Sequence, residues 1–427
     1  MDTIFALATA KGRAGIAVIR LSGSLSLIVA EALCGDLPAS GRVLRKIRSR
    51  NGDLIDEALI LTFCAGESYT GEAVVEFQIH GSVAVINLIL SELASFDGVR
   101  EAEAGEFTRR ALENGRLDLT QVEGLADLID AETIVQQRQA VRVMTGGLGV
   151  KAERWRTALI RAAALLEATI DFADEEVPVD VTPEVRVLLS SVGEEMRAEI
   201  AGSGIAERIR TGFEVAIVGP PNAGKSTLLN RLAGRDAAIT SHHAGTTRDV
   251  LEVRMDLGGL PVTVLDTAGI REAQDDVEEI GIRRGVDRAR AADIRVHLVA
   301  DGSQPELEVV EGDLVLVPKV DDGRLGERGI SGETGAGVDS LVRRLGQVLS
   351  QRATGAGVAI RERHRLAMIT AIAHLDDVLD RLDSAGEFPD LLAEELRFAL
   401  RAVDGIVGRI GVEDLLGEIF SSFCIGK

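Results

Sequence analysis

Apolar positions follow two different rhythms along this chain. Up to residue 117 they come in short blocks or alternate. Residues 14–22, 58–63 and 73–79 each read as a strand, the last alternating through Val75, Phe77 and Ile79. Residues 82–93 read as a helix, and glycine joints at Gly71 and Gly81 punctuate the pieces. This is the pattern of an α+β domain over 1–117.

From Asp118 the period lengthens to that of a helix. Thr120 and Glu123 stand three apart as a capping box. Val122, Leu125, Ile129 and Ile134 carry one apolar face on to about residue 144, where Gly146 and Gly147 interrupt it. A second helix puts Trp155, Leu159, Ala162, Ala163, Leu166 and Ile170 on one face. After an acidic connector over 171–180, Thr182-Pro183 opens a third helix, since proline suits a first turn. Gly202-Ser203-Gly204 is expected to end it. Helical periodicity returns at 364–383, 390–403 and 412–420. None of these stripes can bury itself. The early and late helices are therefore expected to pack into one discontinuous all-α domain, 118–211 with 352–427. Residues 212–351 are then an insertion, with Gly355-Ala356-Gly357 as its exit.

The insertion carries the chemistry. Residues 213–218 form an apolar strand, and residues 227–232 open a helix. Between them Gly219-Pro220-Pro221-Asn222-Ala223-Gly224-Lys225-Ser226 fits G-x-x-x-x-G-K-[ST], whose backbone N–H groups cradle phosphates at a helix N-terminus. Asn222, Ala223, Gly224 and Thr227 are the loop contacts, Lys225 reaches the outer phosphates, and Ser226 is a Mg²⁺ ligand. The strand over 261–265 ends in Asp266-Thr267-Ala268-Gly269, a D-x-x-G in which the aspartate serves Mg²⁺ and the glycine senses the γ-phosphate. That strand pairs across Gly258-Gly259 with residues 250–257, a hairpin signal typical of small GTPases. Upstream, Ala244-Gly245-Thr246-Thr247-Arg248-Asp249 is a threonine-bearing switch. Pro318-Lys319-Val320-Asp321 stands where N-K-x-D selects guanine, with the asparagine missing, and Ser331-Gly332-Glu333 fits the last loop over the base. Ile270 follows the D-x-x-G where a glutamine often positions water, and no arginine finger is assigned; Arg248 and Arg271 are candidates only by position. Asp275, Asp276, Glu278 and Glu279 are the nearest carboxylates, readable equally as a solvated helix start. The fold expected here is an α/β P-loop GTPase of the Ras-like kind in a multidomain chain, with GTP preferred over ATP.

Composition narrows the remainder. A chain of 427 residues exceeds one core. No apolar run reaches the ~18 residues of a membrane span, and no basic-then-apolar leader precedes the first strand. Cys34, Cys64 and Cys424 are odd in number and widely spaced, which predicts reduced thiols in a cytoplasmic protein rather than a disulfide frame. A net charge of −21 argues against broad electrostatic capture of nucleic acid, so any RNA contact needs a local basic patch or a partner's surface.

With these motifs assembled, almost the full chain resembles the MnmE (TrmE) family of tRNA wobble-uridine modification GTPases. At the front, residues 11–15, 20–23 and Ser68-Tyr69-Thr70-Gly71-Glu72 resemble its folate-binding domain; at the end, Cys424-Ile425-Gly426-Lys427 matches its C-x-G-K. The resemblance implies K⁺-stimulated hydrolysis, with K⁺ held by Asn222, Ser241, His243 and Thr246, and Mg²⁺ by Ser226 and Thr247. It singles out Glu278 as the residue that polarises water, and Arg20, Glu76, Arg116 and Lys427 as contacts to a 5-formyltetrahydrofolate-type one-carbon donor. Arg116 departs from the lysine common in relatives. Cys424 reads either as a small buried side chain or as a functional thiol. The resemblance further implies a homodimer and an FAD-containing partner of the MnmG type, in a heterotetramer or larger assembly. A regulatory GTPase switch in ribosome assembly is the alternative from another class, and neither flank carries the basic RNA-binding domain such a switch usually has.

Overall fold

The computed structural model of the chain describes residues 2–171, 180–235, 237–239, 252–266, 285–322, 326–384, 389–410, 416, 419–420, 423 and 426. It divides into two compact units, Met1–Ala126 with Asp404–Lys427, and Asp127–Val403.

The first unit is built on a six-stranded sheet in the order β3-β4-β5-β2-β1-β6. Its strands are β1 (Thr3–Leu7), β2 (Ile16–Ser22), β3 (Gly41–Arg48), β4 (Leu54–Phe63), β5 (Val74–His80) and β6 (Val99–Glu101). Pairing is antiparallel except between β1 and β6. The strands read from sequence at 14–22, 58–63 and 73–79 are β2, the second half of β4, and β5. Alternation sends neighbouring residues to opposite faces. Phe5, Ile19, Leu21, Phe77 and Ile79 face helices α1 (Ser26–Cys34) and α2 (Val83–Ala94), while Ile4 and Ala6 face Phe107 of α3 (Glu106–Glu113). Helix α4 (Leu119–Asp130) follows, and its Val122 packs with Phe420 and Phe423. Gly105, with φ 68°, admits Phe420, which would lie 2.9 Å from any Cβ there. Burial pushes the Cys34 thiol up to about 12, so it behaves as an inert apolar side chain.

The single helix expected from Thr120 to about residue 144 is two. The box that caps α4 belongs to Asp118 and Gln121: Asp118 Oδ1 accepts the Gln121 N–H at 2.9 Å, and Gln121 Oε1 accepts the Asp118 N–H at 2.9 Å. Thr120 only donates its hydroxyl to Asp118 Oδ1. A new start at Thr133, with its own capping box to Gln136, opens α5 (Ile134–Met144).

In the second unit α6 (Gly147–Asp171) buries Trp155, Leu159, Ala162 and Leu166 as the stripe predicts. Helix α7 (Thr182–Thr211) starts with proline in its first turn but does not stop at Gly202. The chain returning from the insertion crosses it there. A Cβ on Gly202 would lie 2.7 Å from both Gly355 O and Gly357 N, and Glu199 Oε2 accepts the Val358 N–H at 3.0 Å. Close approach, rather than helix termination, accounts for that glycine. The helix ends at Gly212, φ 98°, directly before β7 (Phe213–Val218).

Strand β7 lies inside a second sheet, β12-β11-β10-β7-β9-β8, comprising β8 (Glu252–Leu257), β9 (Leu260–Asp266), β10 (Ile294–Leu298), β11 (Leu314–Pro318) and β12 (Gly329–Ile330). All pairs are parallel except β8 with β9. Helices α8 (Lys225–Ala233) and α9 (Val338–Arg352) cover it through Leu228, Leu232, Leu341 and Leu345. Helix α10 (Glu362–Arg381) packs on α7, with Arg197 paired to Asp376, and α11 (Pro389–Val407) reaches α6 through Arg397 and Glu167. Early and late helices are thus neighbours. Among the described residues no helix is long and apolar enough to cross a membrane.

Candidate nucleotide site

Open parallel sheets bind ligands beyond the carboxyl ends of their strands. Here that end of β7 runs into the phosphate loop. Gly219 has φ 156°, and a Cβ on it would lie 2.6 Å from Leu298 O of β10, so only glycine lets the loop leave the sheet. Asn222 (φ 63°) and Gly224 (φ 97°) take left-handed turns that bring the chain around to the start of α8. Ala223 is buried beneath the loop, while Asn222 is exposed and Thr227 points outward from α8.

Lys225, the first residue of α8, is 5% exposed, and its Nζ folds back to donate to Gly219 O and to Pro220 O, the latter at 3.0 Å. The ammonium is thereby held at the centre of the ring the loop makes. The hydroxyl of Ser226 donates to Asp266 Oδ2 at 2.5 Å. Asp266 is the last residue of β9 and stands level with Ile217 of β7, so strand pairing delivers its carboxylate to the helix start. A hydroxyl and a carboxylate side by side are hard oxygen donors, and they fit Mg²⁺.

The base-selecting segment follows β11. Pro318 is the last residue of β11, past the end of that strand's ladder with β10, and it pairs in register with Ile330 of β12. Lys319 then takes φ 60°, Val320 is buried, and Asp321 emerges exposed. The Ser331 hydroxyl, 1% exposed, donates to Asp321 Oδ1 at 2.7 Å and accepts the Thr334 N–H at 3.0 Å. A Cβ on Gly332 would lie 2.6 Å from Leu228 N, which seats this loop on the first turn of α8; Glu333 is exposed beside it. The phosphate loop, Asp266, the 319–321 turn and the 331–333 turn therefore converge. Ser241, His243, Thr246, Thr247, Arg248, Thr267, Ala268, Gly269, Arg271 and Glu278 lie outside the described residues.

A second constellation sits on the first unit's sheet. Arg20 of β2 is the cross-strand neighbour of Glu76 on β5, and its Nε donates to Glu76 Oε1 at 2.7 Å. Its guanidinium lies 5.4 Å from the centroid of the Tyr69 ring and 5.7 Å from that of Phe107. The loop 68–72 is tied down by Ser68 Oγ to Glu72 O at 2.6 Å and by Ser22 Oγ to Glu72 Oε2 at 2.6 Å. Arg116 runs beside that loop, its Cγ 3.2 Å from where a Cβ on Gly71 would be. Gly426 abuts β1, since a Cβ there would lie 2.2 Å from Leu7 O. Cys424 and Lys427 lie outside the described residues. Sequence reading did not reach Arg110. It is 4% exposed and its guanidinium meets Asp2, Glu72 and Glu106, each at 3.0 Å. Two adjacent arginines on a short helix gave no sign that one of them turns inward.

Residues 3–116 match the family model described as GTP-binding protein TrmE N-terminus, and residues 119–424 match the MnmE helical domain. A tRNA modification GTPase MnmE from Roseobacter denitrificans is 60% identical over 428 residues, and one from Ruegeria sp. is 58% identical over 428; each alignment covers 100% of both chains. Among solved structures, a variant of Aquifex aeolicus Era bound to GDP·AlF4− aligns at 26% identity with 32% of this chain and 56% of its own, at a TM-score of 0.24. On the two family models and the full-length identities, the chain belongs to the MnmE family of tRNA modification GTPases.

Proposed function

We propose that this GTP hydrolase serves C5 modification of the tRNA wobble uridine, U34. It would act as a homodimer in the cytoplasm with an FAD-containing partner of the MnmG type, adding an aminomethyl or carboxymethylaminomethyl group with carbon from a folate donor. The observation that carries the reading is the presence in one family chain of two constellations. One is Lys225 with the Ser226–Asp266 and Ser331–Asp321 pairs. The other is the Arg20–Glu76 pair under Tyr69 and Phe107. A cation flanked by aromatic rings suits a flat heterocycle bearing carboxylates, which is the character of a folate.

The residues' parts combine their chemistry with what the family resemblance implies. Lys225 exchanges its two carbonyl acceptors for outer phosphate oxygens, which are anionic and stronger acceptors. Ser226 and Asp266, with Thr247, would hold Mg²⁺. Asp321, its carboxylate turned by Ser331, accepts two N–H groups from the guanine edge, with Lys319, Gly332 and Glu333 beside the base. By the family resemblance Asn222, with Ser241, His243 and Thr246, would hold K⁺, and Glu278 would orient the attacking water. Held by these residues, K⁺ would supply the positive charge toward the phosphates that other GTPases draw from an arginine. Arg116 and Lys427 join Arg20 and Glu76 toward the folate.

Nucleoside analysis of tRNA tests the reading. A deletion strain is expected to lose the modified wobble uridine, the parent gene to restore it, and Glu278→Ala to leave it absent. Unchanged wobble uridines in the deletion strain would refute the role. A finer expectation concerns Pro318. Changing it to asparagine restores one side-chain amide, and one hydrogen bond is worth about 1 kcal/mol. GTP should then bind about fivefold more tightly in a fluorescence titration; unaltered affinity would mean that the missing amide costs nothing here.

A further inference from the structure

The turn between β8 and β9 reaches beyond the nucleotide site. Gly258 and Gly259 have φ 68° and 89°, the two-residue turn that right-twisted strands favour, and Leu257 pairs with Leu260 on either side of it. The Gly259 N–H donates to Asp256 Oδ1 at 2.6 Å, which fixes the turn. Its carbonyl does something the hairpin does not need: it accepts the Val135 N–H at 3.2 Å. Val135 is the second residue of α5. Amides in a helix's first turn have no acceptor in their own helix. The Thr133–Gln136 capping box serves the Thr133 and Gln136 amides, and the hairpin serves that of Val135. The Val135 side chain lies over the turn as well, for a Cβ on Gly259 would lie 3.3 Å from Val135 Cγ2. Gln136 then donates from Nε2 to Arg210 O in the last turn of α7, the helix that runs into β7 and the phosphate loop.

Both ends of this hairpin adjoin the nucleotide chemistry. Strand β9 ends at Asp266, and β8 follows the threonine-bearing segment without interruption in sequence. Strand β8 is the outermost strand of its sheet, and on the side away from β9 the described residues give it a short bridge to residues 237–239, through Ile239 N–H to Arg254 O at 2.8 Å and Asp256 N–H to Ala237 O at 2.9 Å.

We propose that the Gly258–Gly259 turn is the coupling element between nucleotide state and the helical part of this unit, with Gly259 and Val135 as positioning residues. Movement of β8 imposed at its nucleotide end is read at its turn as a change in the cap of α5. This rests on the GTP hydrolase role proposed above, and adds to it that nucleotide state drives a conformational change carried by this contact.

The test is hydrogen exchange on the full-length protein, following α5 amides with GDP and with GDP·AlF4− in KCl. The parent should show a nucleotide-dependent change of about threefold or more in the exchange of the first α5 turn. Gly259→Ala should abolish that change, because its Cβ presses on Val135. Gly258→Ala is the control. It carries the same left-handed backbone cost, but its Cβ meets nothing within 4 Å, so the response should persist. Should Gly259→Ala misfold, Val135→Ala leaves the turn intact and should at least halve the response. GTP turnover should stay within about twofold of the parent in all three variants. Equal responses in the parent and Gly259→Ala, no response in the parent, or lost turnover in Gly259→Ala alone would each overturn the coupling. The wobble-uridine analysis is independent of this readout, so either idea can fail without the other.

Discussion

GTP turnover in potassium is expected to fall about a hundredfold when Asn222 becomes glycine, while turnover in sodium should change little. The size is that of losing one preorganised group aimed at developing charge. Glycine is the informative replacement because Asn222 has φ 63°. Alanine there would add a left-handed backbone cost of about 1 kcal/mol and confuse two effects; glycine takes that φ freely, so only the exposed amide is lost. The expectation follows from what the chain lacks. Ile270 stands where a glutamine would orient water, and no arginine is assigned to the phosphates. Steady-state hydrolysis in KCl and in NaCl, for parent and Asn222→Gly, decides the matter. Equal rates in both salts for the parent would remove the role given to Asn222, Ser241, His243 and Thr246. A proportionate fall in both salts for the variant would instead assign Asn222 to loop geometry.

How much of this was legible without coordinates depended on whether the reason for a residue lay nearby in sequence. Strand β7 and its loop were readable because each requirement is local: an apolar run, glycines at forced backbone angles, and a lysine opening a helix. Gly202 was misread because its reason is tertiary. A glycine near a plausible helix end looks like a stop, and only the crossing of residues 355–357 explains it. The merged α4 and α5 failed differently. Ile129 and Ile134 seemed to continue one stripe, yet they are 38% and 59% exposed and belong to no common buried face. Strand β3 escaped notice because it is an edge, where exposed Leu44 stands among exposed Arg42, Lys46 and Arg48, the charge that keeps edges from pairing with other chains. In the candidate sites, motif residues were legible and their supports were not. Asp321 could be named from sequence, whereas its hydrogen bond from Ser331 needs two loops ten residues apart to meet.

Arg110 is the clearest of those supports, and replacing it with methionine should destabilise the first unit by about 3–5 kcal/mol, the cost of breaking a buried ion pair from one side. Methionine keeps much of the volume, so the loss reports charge rather than a cavity. The guanidinium serves three carboxylates on three separate stretches of chain: Asp2 before β1, Glu72 in the loop over β2, and Glu106 on α3. Without it Glu72 keeps only hydroxyl donation from Ser22, and a carboxylate held by neutral partners at a half-dry site is costly. Hydrogen exchange of the β2 and β5 amides reports this sheet alone, and the double change Arg110→Met with Glu72→Gln should recover most of the loss. The pH dependence has a definite sign. Burial raises the Glu106 carboxyl, but the Arg100 guanidinium, the Glu103 N–H and Arg110 together hold it below its ordinary 4.5. A depressed folded value means that the unfolded chain binds more protons in that window. The stabilisation is therefore complete above about 4.5 and is lost as pH falls toward the folded value. In Arg110→Met one of the groups holding Glu106 down is gone, so the acid limb becomes shallower as well as lower. A variant within about 1 kcal/mol of the parent, with the same acid limb, would show that Arg100 alone neutralises this cluster and that Arg110 is not its keystone.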